Sequence, residues 1–125
     1  MKLVLRLLEE SFAVCRLDAG AIIPPSLLTP GHEFVSITRT PDELSLVCPE
    51  SLAPHGAKAV KGWRAFKVQG PLDFSLTGVI ASLVEPLAEA KISVFTIATY
   101  DTDYILVQES DLAAAQRQLA PFLGL

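Results

Sequence analysis

Gly70-Pro71-Leu72-Asp73-Phe74-Ser75-Leu76-Thr77-Gly78-Val79-Ile80-Ala81-Ser82-Leu83-Val84-Glu85-Pro86-Leu87-Ala88-Glu89-Ala90 is the stretch that decides the fold. From Leu76 the apolar residues fall at Val79, Ile80, Leu83 and Leu87, one face of a helix running to about Ala90. Ser75 or Asp73 is placed to cap its start. Pro86 falls inside it, which predicts a kink or a Ser82 carbonyl without its usual partner. Upstream, Trp63 to Gln69 reads as a strand that Gly70-Pro71 ends. Downstream, Ile92 to Ala98 and Tyr104 to Val107 read as strands joined by a short polar turn. Ser110-Asp111 then offers a hydroxyl and a carboxylate to a helix start. Leu112, Ala115, Leu119 and Phe122 line one face of that helix until Pro121 stops the pattern. Strand, helix, strand, strand, helix is most of a ferredoxin-like unit.

Working outward, the first half repeats this order in a worn form. Lys2 to Leu8 and Phe12 to Leu17 read as strands, with Glu9-Glu10-Ser11 as the turn of a hairpin. Pro24-Pro25-Ser26-Leu27-Leu28 has room for about a turn of helix, closed by Thr29-Pro30-Gly31. Phe34 to Thr40 and Leu44 to Cys48 are two more strands around the turn Pro41-Asp42-Glu43. Laying residues 34–52 over 94–112 without a gap pairs Ile37 with Ile97, Leu46 with Leu106, Val47 with Val107 and Leu52 with Leu112. The two polar turns coincide in this alignment, so a duplication is expected. Pro49 to Lys61 reads as a loop and as the boundary between halves. The expected architecture is α+β: two βαββα units at residues 1–61 and 62–125, the first with a shortened helix. Their sheet is antiparallel, with helices on one face.

Composition narrows the function classes. Half of the 125 residues are hydrophobic, which suits a folded globular chain. Ten basic and fourteen acidic residues give a net charge of −4, with no basic footprint for nucleic acid or an anionic membrane. The apolar run at Leu3–Leu8 is short, is broken by Arg6 and lacks a small-residue cleavage site, so it does not read as a signal peptide. No stretch approaches a membrane span. Cys15 and Cys48 sit in apolar strand patterns without metal-ligand spacing, and a cytoplasmic protein is expected. His32 and His55 lie in loop-like stretches without matched ligand partners. Gly70 to Gly78 lacks both glycine-rich nucleotide signatures. Asp101-Thr102-Asp103 reads as a polar turn rather than a metal site. No nucleophile, base and orienting group can be assembled, so neither a cofactor nor an enzyme activity is expected.

Gly70 to Ile80, continuing through Glu85-Pro86-Leu87-Ala88 and Ile92-Ser93-Val94, resembles the first strand, loop and helix of an ACT domain. The following Thr99-Tyr100-Asp101-Thr102-Asp103-Tyr104-Ile105-Leu106-Val107 is similar to its hairpin. The resemblance is closest to small ACT-domain proteins related to aspartate kinase regulatory regions and to the cytosolic arginine sensors of animal cells. It implies ferredoxin-like units that pair side by side, as in a homodimer, and bind a free amino acid at an interface. It also implies regulation of a protein partner, and it carries ligand contact onto Thr77, Gly78, Val79, Thr99, Tyr100 and Asp103. Relatives with a basic ligand have an acidic residue at the position of Leu76, and leucine there argues against a long cationic side chain.

The chemistry of such a site can be argued separately. A helix N-terminus presents unpaired N–H groups and the positive end of a dipole to a ligand carboxylate. Gly78 allows a close approach to the backbone and Thr77 adds a hydroxyl. Asp101 or Asp103 is available to hold the ammonium group by a charge-assisted hydrogen bond. The alternative is a protein-interaction module of the same fold with no ligand, since the edge strands of an open sheet are ready for augmentation.

Overall fold

The computed structural model describes residues 3–70 and 78–123. The chain divides into two units, one of Met1–Glu9 with Arg64–Leu125 and the other of Glu10–Trp63. Among the described residues, six strands and two α-helices follow in the order β1 (Leu5–Leu17), β2 (Ser36–Arg39), β3 (Leu44–Pro49), β4 (Lys58–Val68), α1 (Val79–Glu89), β5 (Phe95–Ala98), β6 (Asp103–Gln108) and α2 (Leu112–Gln118).

The expected hairpin at Glu9-Glu10-Ser11 is replaced by one continuous strand, β1. The reason lies in the alternation. Leu5 and Leu7 pack into one core, Ala13, Cys15 and Leu17 into another, and all keep the same odd phase through Glu9 and Ser11. No glycine, proline or asparagine interrupts the run to supply a turn. Residues 1–9 therefore group with 64–125 rather than with the chain that follows them. The expected loop over Pro49 to Lys61 is also shorter. A single 3-10 turn at Glu50–Leu52 precedes β4, which begins at Lys58. Gly62 takes a left-handed φ of 84° within β4, and its N–H donates to Glu50 Oε2 over 2.6 Å.

In the unit with the helices, the strand order is β1-β4-β6-β5, with β5 and β6 antiparallel from Phe95–Leu106 to Ala98–Asp103. Counted along that unit from β4, this is the fourth, first, third and second strand, the ferredoxin-like order. The N-terminal half of β1 takes the fourth place. Val79, Leu83 and Leu87 of α1 and Ala115 and Leu119 beyond it pack with Phe66, Val68, Ile105 and Val107, so both helices cover the same sheet face. Pro86 is tolerated inside α1. That helix ends on Lys91 at φ 60°, where Ile92 N–H reaches the Leu87 carbonyl and Lys91 N–H the Ala88 carbonyl, each at 2.9 Å. This is a Schellman ending, and Leu87 and Ile92 supply its apolar contact. The second helix opens through a 3-10 turn at Glu109–Asp111, and neither its Ser110 nor its Asp111 makes a side-chain cap among the described hydrogen bonds.

In the Glu10–Trp63 unit the order is β2-β3-β1-β4, again the second, third, first and fourth strands of a ferredoxin-like unit. Antiparallel pairs run from Phe12–Pro49 to Leu17–Leu44 and from Ser36–Val47 to Arg39–Leu44. The helix positions are reduced to 3-10 turns at Pro25–Leu27 and Glu50–Leu52. Leu27, Leu44, Leu46, Cys15 and Cys48 fill the core on one face. On the other, Phe12 and Phe34 meet edge to face, with ring centroids 5.9 Å apart. Arg39 binds the carbonyls of Ala19 and Ala21, which ties down the loop after β1.

Candidate functional site

The residues of interest lie in the unit with the helices, on two faces of its sheet. In β6, Ile105 and Val107 point toward α1 and α2, so Asp103, two residues earlier, belongs to that face. Tyr104 and Leu106 belong to the opposite face. In β4, Phe66 and Val68 face the helices and Lys67 faces away. The two candidate carboxylates thus separate. Asp103 begins β6 on the helix-bearing face, whereas Asp101 lies in the turn before it.

On the helix-bearing side, Gly78 is the residue before α1, with φ 75° and ψ 3°. Its carbonyl accepts from Ser82 N–H at 2.9 Å, the first bond of the helix. Val79 is buried in the core, so its side chain is packing and only its backbone remains for a ligand. Ser82 Oγ donates to the Val79 carbonyl at 2.8 Å. Asp103 is half-buried, and burial pushes its carboxyl above the usual carboxylate range. Thr77, with Leu76 and the expected caps Asp73 and Ser75, lies outside the described residues.

The turn from Thr99 to Thr102 is locked three ways. Thr99 N–H donates to the Thr102 carbonyl at 2.8 Å, Thr99 Oγ1 donates to the same oxygen at 3.0 Å, and Thr102 N–H donates back to Thr99 Oγ1 at 3.3 Å. Thr102 itself is 5% exposed, and its hydroxyl donates to the Val68 carbonyl at 2.6 Å. Tyr100, at the tip, is 80% exposed.

Against this turn the structure opens a cleft of about 220 Å³ lined by Lys67, Gln69, Gly70, Thr99, Asp101, Thr102 and Tyr104. Of the five described residues that carry the expected ligand contacts, Thr99 alone lines it. Gly78 and Asp103 belong to the helix-bearing side, at the starts of α1 and β6, and Tyr100 projects from the tip. Burial pushes the Tyr104 phenol up; Arg6 pulls it down and Asp101 adds to the rise. Lys67 and Gln69 were not singled out from sequence. The signal was present, since Lys67 is the polar residue alternating with buried Phe66 and Val68.

Comparison with known proteins supplies the family. A model described as the ACT domain matches residues 58–120. A second model, of an N-terminal domain, matches residues 10–56. The cytosolic arginine sensor for mTORC1 subunit 1 of Bos taurus is 33% identical over an alignment of 99 residues that covers 70% of this chain and 30% of that protein. The chain therefore spans about a third of the length of this relative. A crystal structure of an Agrobacterium tumefaciens protein superposes with a TM-score of 0.85 at 39% identity, over 96% of this chain and 88% of the other. The ligand-free regulatory subunit of aspartate kinase from Thermus thermophilus superposes with a TM-score of 0.65 over 96% and 97% of the two chains. Its 13% identity makes that likeness one of fold.

Proposed function

Because this chain belongs to the ACT domain family, we propose that it is a non-catalytic regulatory protein that binds a free amino acid. The observation that carries the reading is Gly78 opening α1 on the same sheet face as the half-buried Asp103. The ligand carboxylate meets the N–H groups at the start of α1, around Thr77, Gly78 and Val79, where dipole and unpaired donors favour an anion. Its ammonium meets Asp103, whose partial desolvation strengthens a charge-assisted bond. Thr99 and Tyr100 border the ligand from the turn.

A second copy of the chain completes the site in a cytoplasmic homodimer, and occupancy passes to a regulated protein partner through a shift of that interface. The relative named an arginine sensor supports an amino acid as the ligand class. Leu76, in place of the acidic residue that accompanies a basic ligand, favours a ligand without a long cationic side chain. A thermal-shift screen against the common amino acids tests the reading. One clear responder, stabilising by about 2.7 kcal/mol at a hundred times its dissociation constant, is the expected result. A flat panel overturns it and leaves a protein-interaction module.

A further inference from the structure

The Glu10–Trp63 unit has a cleft of its own, of about 200 Å³, lined by Arg16, Leu17, Asp18, Ala21, Gly56 and Lys58. It lies where β1 ends and β4 begins. Its walls are held by bonds to the backbone. Arg16 donates from Nη2 to the Asp42 carbonyl at 3.0 Å, which steadies the guanidinium and spends one of its five N–H donors. Ala21 N–H donates to the Asp18 carbonyl at 2.9 Å, and Arg39 donates to the Ala21 carbonyl at 2.9 Å, so the loop after β1 is tied from both sides. Gly56 turns the chain at φ 84°, and without a Cβ its backbone is open to close approach. Among the described residues, neither the Gly56 N–H, the Lys58 ammonium nor the Asp18 carboxylate has a hydrogen-bond or ion-pair partner.

Arg16, Lys58 and the Gly56 N–H are donors, and Asp18 is an acceptor. A phosphomonoester matches the donors, because its doubly charged group presents three acceptor oxygens and arginine offers a fork of the right shape. A single carboxylate has too little charge for both cations. Asp18 repels a bare anion, so the part of the ligand that it meets must carry hydrogen-bond donors. Free hydroxyl groups supply them, and Leu17 and Ala21 offer apolar contact to the carbons that bear them. We propose that this cleft binds a small phosphorylated polyol or sugar, its phosphate on Arg16, Lys58 and the Gly56 N–H and a hydroxyl donating to Asp18. The inference stands apart from the amino-acid reading, since it uses no residue of that site and lies in the other unit.

Titration of the ¹⁵N-labelled chain with glycerol 3-phosphate tests it, with methyl phosphate, glycerol and aspartate for comparison. The expected result is a set of amide shift changes at Arg16–Ala21 and Gly56–Lys58, with glycerol 3-phosphate the tightest of the four. Lys58→Met and Arg16→Gln should each weaken its binding at least about tenfold, the loss of a hydrogen bond between charged groups. Arg117→Gln, which removes an exposed cation from α2, should bind as the parent does. Asp18→Ala should weaken glycerol 3-phosphate but not methyl phosphate, which has no hydroxyl to donate. No shifts at the cleft, shifts that survive both Lys58→Met and Arg16→Gln, or an equal response of the two phosphates to Asp18→Ala overturn the proposal. Aspartate binding there more tightly than glycerol 3-phosphate overturns it too, because the carboxylates and ammonium of aspartate would then be the better match. None of these results bears on the helix-side reading, whose own shifts fall at Gly78, Val79 and Asp103.

Discussion

Thr102 donates its hydroxyl to the carbonyl of Val68 across 2.6 Å, which joins the turn before β6 to the end of β4 through a buried bond. Thr102→Val keeps the shape of the side chain and leaves that carbonyl without its donor. A buried acceptor so stranded costs about 1–3 kcal/mol. Chemical denaturation should show a loss in this range for Thr102→Val and a smaller one for Thr102→Ser, which restores the hydroxyl. Equal losses in the two variants would place the effect in the methyl group rather than the bond.

Gly78 precedes α1 at φ 75°, and a Cβ built there meets nothing within 4 Å. Space is therefore not the obstacle to a side chain; the backbone conformation is. Gly78→Ala should cost roughly 1–2 kcal/mol from the left-handed conformation alone. Gly78→Asn should cost less, because asparagine tolerates that region. Thermal melts of the two variants rank them. If the amino acid approaches the backbone here, both variants also weaken binding by more than their effect on stability explains.

The fold was legible where period and punctuation agreed. Val79, Leu83 and Leu87 announced α1, and the run from Tyr104 to Val107 announced β6; each lies where the pattern put it. The error at Glu9-Glu10-Ser11 came from reading polarity as a turn. On a strand whose odd residues enter two successive cores, two glutamates and a serine are simply the stretch between them. The site was less legible, for a different reason. Asp101 and Asp103 are equivalent as composition, and what separates them is that Asp103 begins β6 whereas Asp101 lies in the turn before it. Lys67 acquires a meaning when the Thr99–Thr102 turn arrives opposite it, and strand pairing between distant residues is not written in any local pattern.

Cys15 and Cys48 lie on the same face of paired strands, buried and reduced. Burial is the main force raising both thiols, and Cys48 is pushed to about 12, with Cys15 adding to its rise. The sign follows from proton count. An unfolded chain releases these protons from about pH 9 upward, while the folded unit still holds them. Their contribution to stability is fully present below pH 9 and is lost as pH climbs from there toward 12. Melting temperatures from pH 8 to 10.5 should fall more steeply for the parent than for Cys15→Ala/Cys48→Ala. A thiol reagent at pH 8 should label neither residue until the Glu10–Trp63 unit unfolds; rapid labelling of the native chain would contradict the burial argument.

Lys91 sits at φ 60° at the left-handed position of the Schellman ending, which glycine most often occupies. Ile92 N–H to the Leu87 carbonyl and Lys91 N–H to the Ala88 carbonyl fix that conformation, and the Leu87–Ile92 contact holds it from the core. A lysine there bears the Cβ strain of a left-handed residue. Lys91→Gly should relieve it and stabilise the chain by up to about 1 kcal/mol, the left-handed strain less the flexibility glycine adds to the unfolded chain. The lysine is exposed, so little packing is lost, although its charge near the negative end of the helix dipole offsets part of the gain. Unfolding at high salt separates the two contributions, because screening removes the dipole term and leaves the backbone term in place. The gain from Lys91→Gly should therefore be larger in high salt than in low salt, and Lys91→Ala, which keeps the strain without the charge, should be no more stable than the parent under either condition.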